Sequence, residues 1–139
     1  MRLLLTFLFL VISNTSIALC NSGVDENFGI FLAKFSDEKK FSVNRTLYPT
    51  YTLRHEYGVE NGKEVHSTVK TIITKDDDSA TPTIAEILRI NSMETKVKST
   101  NSTNAVVNVY KPDTDWLLSY HFKLRGSCWY LHHIEDHSL

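Results

Sequence analysis

Cysteine is scarce in this chain: its 139 residues contain two. Two are too few for a disulfide-stapled miniprotein or a cysteine-rich zinc module. Glycine is also scarce. The five glycines are scattered, and none stands in a G-x-x-x-x-G-K-[ST] arrangement, so no phosphate-cradling loop is encoded. Neither sign of charge dominates, with 15 Lys+Arg against 16 Asp+Glu and a net charge of −1. That balance excludes a global electrostatic attraction to nucleic acid and a solvating acidic tail. Lys39-Lys40 is too small a basic cluster to leave an electrostatic footprint. Internal repeats and heptad runs are missing, as are a G-x-S-x-G elbow and an activated-cysteine signature. The longest apolar stretch, Leu3 to Ile12, is short of the ~20 residues that span a bilayer. At 42% hydrophobic and 22% charged, the composition is that of one ordinary globular domain.

The first segment reads as an address. Arg2 is the only charge before Asp25, and an apolar run and a short polar stretch follow it. This is the pattern of a secretory signal. Ser16-Ile17-Ala18 offers small residues for a cut after Ala18, which gives a signal peptide over residues 1–18 and one domain over residues 19–139. A cut after Cys20 is a second option. Lipidation of Cys20 is a third, because Ile17-Ala18-Leu19-Cys20 resembles a bacterial lipoprotein signal, with a large Leu19 where a small residue is normally required. The expectation is an exported protein, periplasmic or secreted, with no membrane span after cleavage. Cys20 and Cys128 would both survive and are a candidate disulfide in an oxidising compartment. The alternative is an unpaired Cys20 and a half-buried Cys128. Asn44-Arg45-Thr46 and Asn101-Ser102-Thr103 match the N-glycosylation pattern.

Helices are expected first and strands afterwards. Val24, Phe28, Phe31, Leu32 and Phe35 recur at helical spacing, with Ser22 as the expected cap. A short second helix over residues 37–43 must end before Pro49. Residues 50–57 alternate as a strand, Asn61-Gly62 makes a hairpin turn, and residues 65–74 return. Residues 75–79 read as a polar loop and 83–90 as a short helix entered through Thr81-Pro82. Strands over residues 105–110, 116–124 and 128–134 close the chain as an antiparallel meander. The fold class is α+β: N-terminal helices packed on a strongly curved antiparallel sheet.

The spacing Phe28-x-x-Phe31-x-x-x-Phe35-Ser36-Asp37, then Phe41, Arg45 and Pro49, resembles the opening of a secreted bacterial family of unknown function. That family reads F-x-x-F-x-x-x-F-S-x-D-x-x-F-Q-x-x-R-I-x-F-P-L. The closing hairpin, Tyr120 to Leu131, is similar to the family's Y-x-F-x-x-x-x-G-x-W-x-L. One extra residue before Phe41, Ser42 in place of Gln, and Leu47-Tyr48-Pro49-Thr50 in place of F-P-L depart from the pattern. More distantly, Gly126 to His133 resembles the last strand of nuclear-transport-factor-2-like (NTF2-like) domains, cone-shaped α+β folds with helices on one side of a bent sheet. The resemblance covers both ends of the domain and leaves residues 57–104 without support. It implies a cone but no activity.

Candidate chemistry divides three ways. Enzymes of the NTF2-like fold place an Asp or His inside the cone beside a Tyr. Here Tyr51, His55, Tyr120, His121 and His133 are the candidate pocket residues, and no catalytic residue is assigned. His121, His132, His133, His137 and Glu135-Asp136 are the densest set of potential metal ligands. Neighbours in a regular strand face opposite ways, so His132 and His133 should not share an ion, and no metal or other cofactor is assigned. Asp76-Asp77-Asp78 lacks the ligand spacing of an EF-hand loop. Among the C-terminal aromatics, Tyr110, Trp116 and Tyr130 are the interface candidates. The functional expectation is a non-catalytic binding domain for a protein or small ligand, without nucleic acid, with a homodimer through the outer sheet face allowed. The alternatives are a lyase or isomerase using the cone, and a toxin-neutralising or envelope structural protein.

Overall fold

The computed structural model describes residues 24–138. The expectations for the signal, Ser22 and Cys20 lie outside them. Helix α1 spans Phe28–Asp37 and α2 Lys39–Asn44. Strands β1 (Thr50–Glu60) and β2 (Lys63–Ile73) form a long hairpin. Helices α3 (Lys75–Ser79) and α4 (Ile84–Asn91) follow. Strands β3 (Glu94–Thr100), β4 (Asn104–Tyr110), β5 (Leu117–Arg125) and β6 (Cys128–Asp136) complete the chain. No helix among the described residues is long and apolar enough to cross a membrane.

The strands form one curved six-stranded sheet in the order β2-β1-β6-β5-β4-β3. Four neighbouring pairs are antiparallel, three of them between expected strands. The fifth, β1 with β6, is parallel over Thr52–Arg54 and Ile134–Asp136, so the sheet is mixed. It joins the two ends of the strand region, which only a long crossover can bring together in parallel.

Local chemistry explains most of the boundaries. Helix α1 begins later than its apolar stripe suggests, because Asn27 caps it: its side-chain oxygen accepts from the Ile30 N–H at 3.1 Å. Val24 lies outside the helix and is exposed, while Glu26 is drawn to the C-terminal hairpin, its N–H donating to the Ser127 carbonyl at 2.9 Å. Asn61 and Gly62, with φ of 52° and 77°, make the hairpin turn. Residues 75–79 are helical because Thr74 and Asp77 form a capping box, with three aspartates in the first turn favouring the helix dipole. Thr83 and Glu86 cap α4 the same way. Strand β3 is not among the expected elements. Every residue in it is exposed, so no apolar alternation marks it, and its lysines suit a sheet edge.

The core lies between the helices and one sheet face. Phe31, Phe35 and Phe122 meet edge to face or tilted, with ring centroids 5.1–5.5 Å apart. Phe28 stands edge-on to Trp129 at 5.0 Å. Val107, Val109, Ala105 and Leu131 are buried beneath them. Arg45, 3% exposed, pins the N-terminal segment to this core. Its guanidinium donates to both Glu26 carboxylate oxygens, at 2.8 and 3.2 Å, and to the Trp129 carbonyl at 3.1 Å. Its Cζ lies 4.9 Å from the Phe41 ring centroid. Glu26 in turn accepts from the Trp129 N–H at 3.0 Å. The Phe and Arg positions of the opening motif are therefore structural.

Candidate functional site

The pocket candidates divide between the two faces of the sheet. Tyr120 alone faces the helices, where it is buried. Tyr51, His55, His121 and His133 lie on the opposite, uncovered face, so they do not line the cone. The reason is the period-two alternation: Tyr120 and His121 are neighbours in β5, and only one of them can point inward.

On the helix side, a cavity of about 210 Å³ lies where α1, α2 and α4 meet β1, β5 and β6. Phe35, Ile84, Ile87, Leu131 and Ile134 make its wall apolar. Lys39, Asp78 and Thr81 bring polar groups to it. They are interlocked: the Lys39 ammonium donates to the Asp78 carbonyl and, at 3.1 Å, to Thr81 Oγ1. The Tyr48 hydroxyl donates to Asp78 Oδ2, and Thr81 Oγ1 lies 2.8 Å from Asp78 Oδ1. Burial, then the hydrogen bond to Asp78 and its negative charge, push the Tyr48 hydroxyl well above the usual tyrosine range. Burial, and then the Asp78 charge, do the same to Tyr120. Both hydroxyls therefore stay protonated, and Tyr120 can present a donor to whatever occupies the cavity. Sequence reasoning missed Lys39, Asp78 and Thr81; a loop reading of residues 75–79 concealed the short helix that carries Asp78 into the wall.

On the uncovered face, β1, β5 and β6 bring five polar rings and a carboxylate together. His121 and His133 are directly paired across β5 and β6, their rings parallel and 4.2 Å apart. Tyr51 stacks on the other side of His133 at 5.0 Å. His55 stacks on His137 at 4.7 Å. Glu135 sits among them, with its carboxylate oxygens 3.5 Å from His121 Nε2, 3.4 Å from His133 Nε2 and 3.2 Å from His137 Nε2. His137 is held by its own backbone, its N–H donating to the Leu117 carbonyl at 2.9 Å.

The expectation that His132 and His133 face opposite ways is overturned. A β-bulge inserts His132 between the pairs Phe122–Leu131 and His121–His133. The bulge brings His132 Nδ1 to 2.7 Å from His133 Nδ1. It also shifts the inward-facing set of β6 from Leu131 to Ile134, leaving His133 and Glu135 outside. Burial is the main cause holding His121 and His133 below the usual imidazole range, so both are neutral at pH 7. Burial opposes ionisation of Glu135, but the combined attraction of His121, His133 and His137 keeps its carboxyl below the ordinary range.

The interface candidates are dispersed. Tyr110 and Trp116 share a shallow depression, where the Tyr110 hydroxyl donates to Glu94 Oε2 at 2.9 Å. Trp116 also packs against the core, and the Tyr130 ring lies 5.5 Å from Arg45 Cζ. Cys128 is buried and disulfide-bonded, and Cys20 lies outside the described residues.

Helices closing one face of a bent sheet recur in a solved structure. A crystallised NTF2-like protein from Bacteroides fragilis superposes with a TM-score of 0.57 at 15% identity, covering 83% of this chain and 48% of that one. The fold is NTF2-like. This chain thus spans about half the length of that protein. A DUF4783 family protein from Bacteroides fragilis is similar at a TM-score of 0.46, with 8% identity over 83% of this chain and all of that one. An NTF2-like protein of unknown function from Silicibacter pomeroyi gives 0.40, with 9% identity over 78% of this chain and 86% of that one. No family model and no curated protein matches the sequence.

Proposed function

We propose that this NTF2-like domain is an exported, non-catalytic binding domain that holds a small, mainly apolar molecule between helices and sheet. The observation that carries this reading is the 210 Å³ cavity with its apolar wall and interlocked polar groups. An apolar cavity of about 150 Å³ already admits a benzene-sized ligand. The larger volume suits a substituted ring or a short branched chain with one polar group, facing Tyr120 or Lys39. A binding role is favoured over a lyase or isomerase because Asp78, the carboxylate at the cavity, is already engaged by Tyr48 and Thr81, and the histidines are on the other face. Export is supported by the N-terminal pattern and by the disulfide at Cys128, a bond that persists in oxidising compartments. The resemblance to a secreted bacterial family points the same way.

The test is a thermal-shift and NMR screen with small aromatic probes such as indole and substituted benzenes. At least one probe should raise the melting temperature in a dose-dependent way. Ile87→Trp, which fills the cavity, should remove that shift while far-UV circular dichroism stays native. Failure of every probe, or a shift that Ile87→Trp leaves intact, would overturn the reading.

A further inference from the structure

We propose that the uncovered face of the sheet carries a binding site for one divalent transition-metal ion of the zinc, nickel and copper class, with His121, His133 and Glu135 as ligands. This site is independent of the cavity on the other side of the sheet.

The donor set decides the class of ion. Two imidazoles and one carboxylate, with a position left for water, suit borderline ions such as Zn²⁺, whereas Ca²⁺ and Mg²⁺ demand mostly oxygen ligands. The spacing fits as well. Ligand atoms 2.0–2.2 Å from a tetrahedral ion stand about 3.4 Å from one another. The Nε2 atoms of His121 and His133 already lie 3.5 and 3.4 Å from oxygens of Glu135. One ligand atom from each of His121, His133 and Glu135 falls within 4.8 Å of the others, and the same holds for His55, Glu135 and His137. Glu135 is common to both groups, and the group with His121 and His133 places the ion between β5 and β6, with His137 beside it rather than on it.

A second observation concerns how these atoms are satisfied. His121 Nε2 and His55 Nε2 are buried atoms that make no well-formed hydrogen bond, the Glu135 oxygen 3.5 Å from His121 Nε2 being an ion-pair approach only. Native proteins rarely leave such atoms unsatisfied, and an ion is one of the few things that completes them. For His121 this same atom is the one turned toward Glu135.

The surroundings orient the ligands. His132, displaced by the bulge, meets His133 at Nδ1, which leaves Nε2 as the ring nitrogen turned toward Glu135. A partner on the second ring nitrogen of a metal-binding histidine is the usual way to fix its tautomer and ring plane. Tyr51 stacks on His133, and His55, held in turn at Nδ1 by His66, stacks on His137. Three ordered ligands come from adjacent positions on rigid strands, and His137 follows directly after β6 with its N–H anchored to β5. The bulge has a function in this account: without it, β6 would present its odd-numbered residues inward.

The experiment uses untagged full-length protein stripped with EDTA and titrated calorimetrically with Zn²⁺, and separately with Ca²⁺. Saturable binding at one equivalent of Zn²⁺, with a rise in melting temperature, is expected, and Ca²⁺ should bind at least 100-fold more weakly. Glu135→Gln and His121→Asn should each weaken Zn²⁺ binding at least tenfold with native circular dichroism. Glu64→Gln, on the exposed β2, should leave it within twofold. Co²⁺ in place of Zn²⁺ should give visible absorption bands that His133→Asn abolishes. Absence of saturable Zn²⁺ binding, equal affinity for Ca²⁺, or binding that Glu135→Gln and His121→Asn leave within twofold would overturn the proposal.

Discussion

The two faces of one sheet carry opposite chemistries. The face under the helices holds Phe122, Val107, Val109, Trp129 and Leu131, all buried. The other carries Tyr51, His55, His121, His133 and Glu135, half-buried and in mutual contact. Adjacent residues in β5 belong to different worlds: Tyr120 and Phe122 are in the core, and His121 between them faces the imidazole cluster. Burial of apolar area on one face supplies the stability. The other face contributes little to it and is free to assemble polar groups that would be costly inside.

The contrast is breakable, and the largest effects should come from the covered face. Phe122→Ala should cost about 3–5 kcal/mol by urea denaturation, the usual toll for deleting a buried ring. His121→Ala on the reverse side should cost less than about 1 kcal/mol. Equal costs would show that the uncovered face is also structural. Arg45→Met should cost about 3 kcal/mol, because it strips the partner from Glu26 and the donor from the Trp129 carbonyl. Arg45→Lys should not restore the loss, since an ammonium cannot bridge both carboxylate oxygens with the same planar fork.

Acid should act on the uncovered face first. His121 and His133 are depressed from the ordinary 6.5, so below that pH the unfolded chain binds protons that the folded chain refuses. In metal-free protein the stability they permit is complete above pH 6.5 and declines as the pH falls below it. The groups facing this pair include Glu135, His137, His132 and Lys98. Glu135 is also depressed, from 4.5, so its contribution is lost at still lower pH. His121→Asn with His133→Asn should flatten the slope just below pH 6.5, measured as urea midpoints against pH. Phe122→Leu should lower the whole curve and leave that slope unchanged. The smallest effect belongs to the helix layer: Thr83→Ala, which removes the α4 cap, should cost about 1 kcal/mol in the same assay.

Periodic and punctuated segments are legible in the amino-acid sequence. The Phe28-Phe31-Phe35 stripe marks the helix that covers the core. The Asn61-Gly62 turn marks the first hairpin, and the alternation of β5 correctly divides Tyr120 and Phe122 from His121. Strand β3 is illegible because an exposed edge strand has no apolar face to reveal it. Helix α3 is illegible because its capping box involves a threonine just outside a run that otherwise looks like a solvated turn. His132 and His133 mislead because a bulge breaks the period-two rule on which the reading of faces depends.

The residues alone determined the class of the fold, since apolar spacing and turn chemistry are local properties carried by the chain in any context. They also determined which side chains could do chemistry. Tertiary structure decided which of those side chains meet. The parallel pairing of β1 with β6 brings Tyr51 and His55 to residues 133–137, some 80 positions away in the chain. The single inserted residue at His132 decides which way His133 and Glu135 face. Both are long-range register effects, fixed by how the core face must pack, and the uncovered face inherits its arrangement from them.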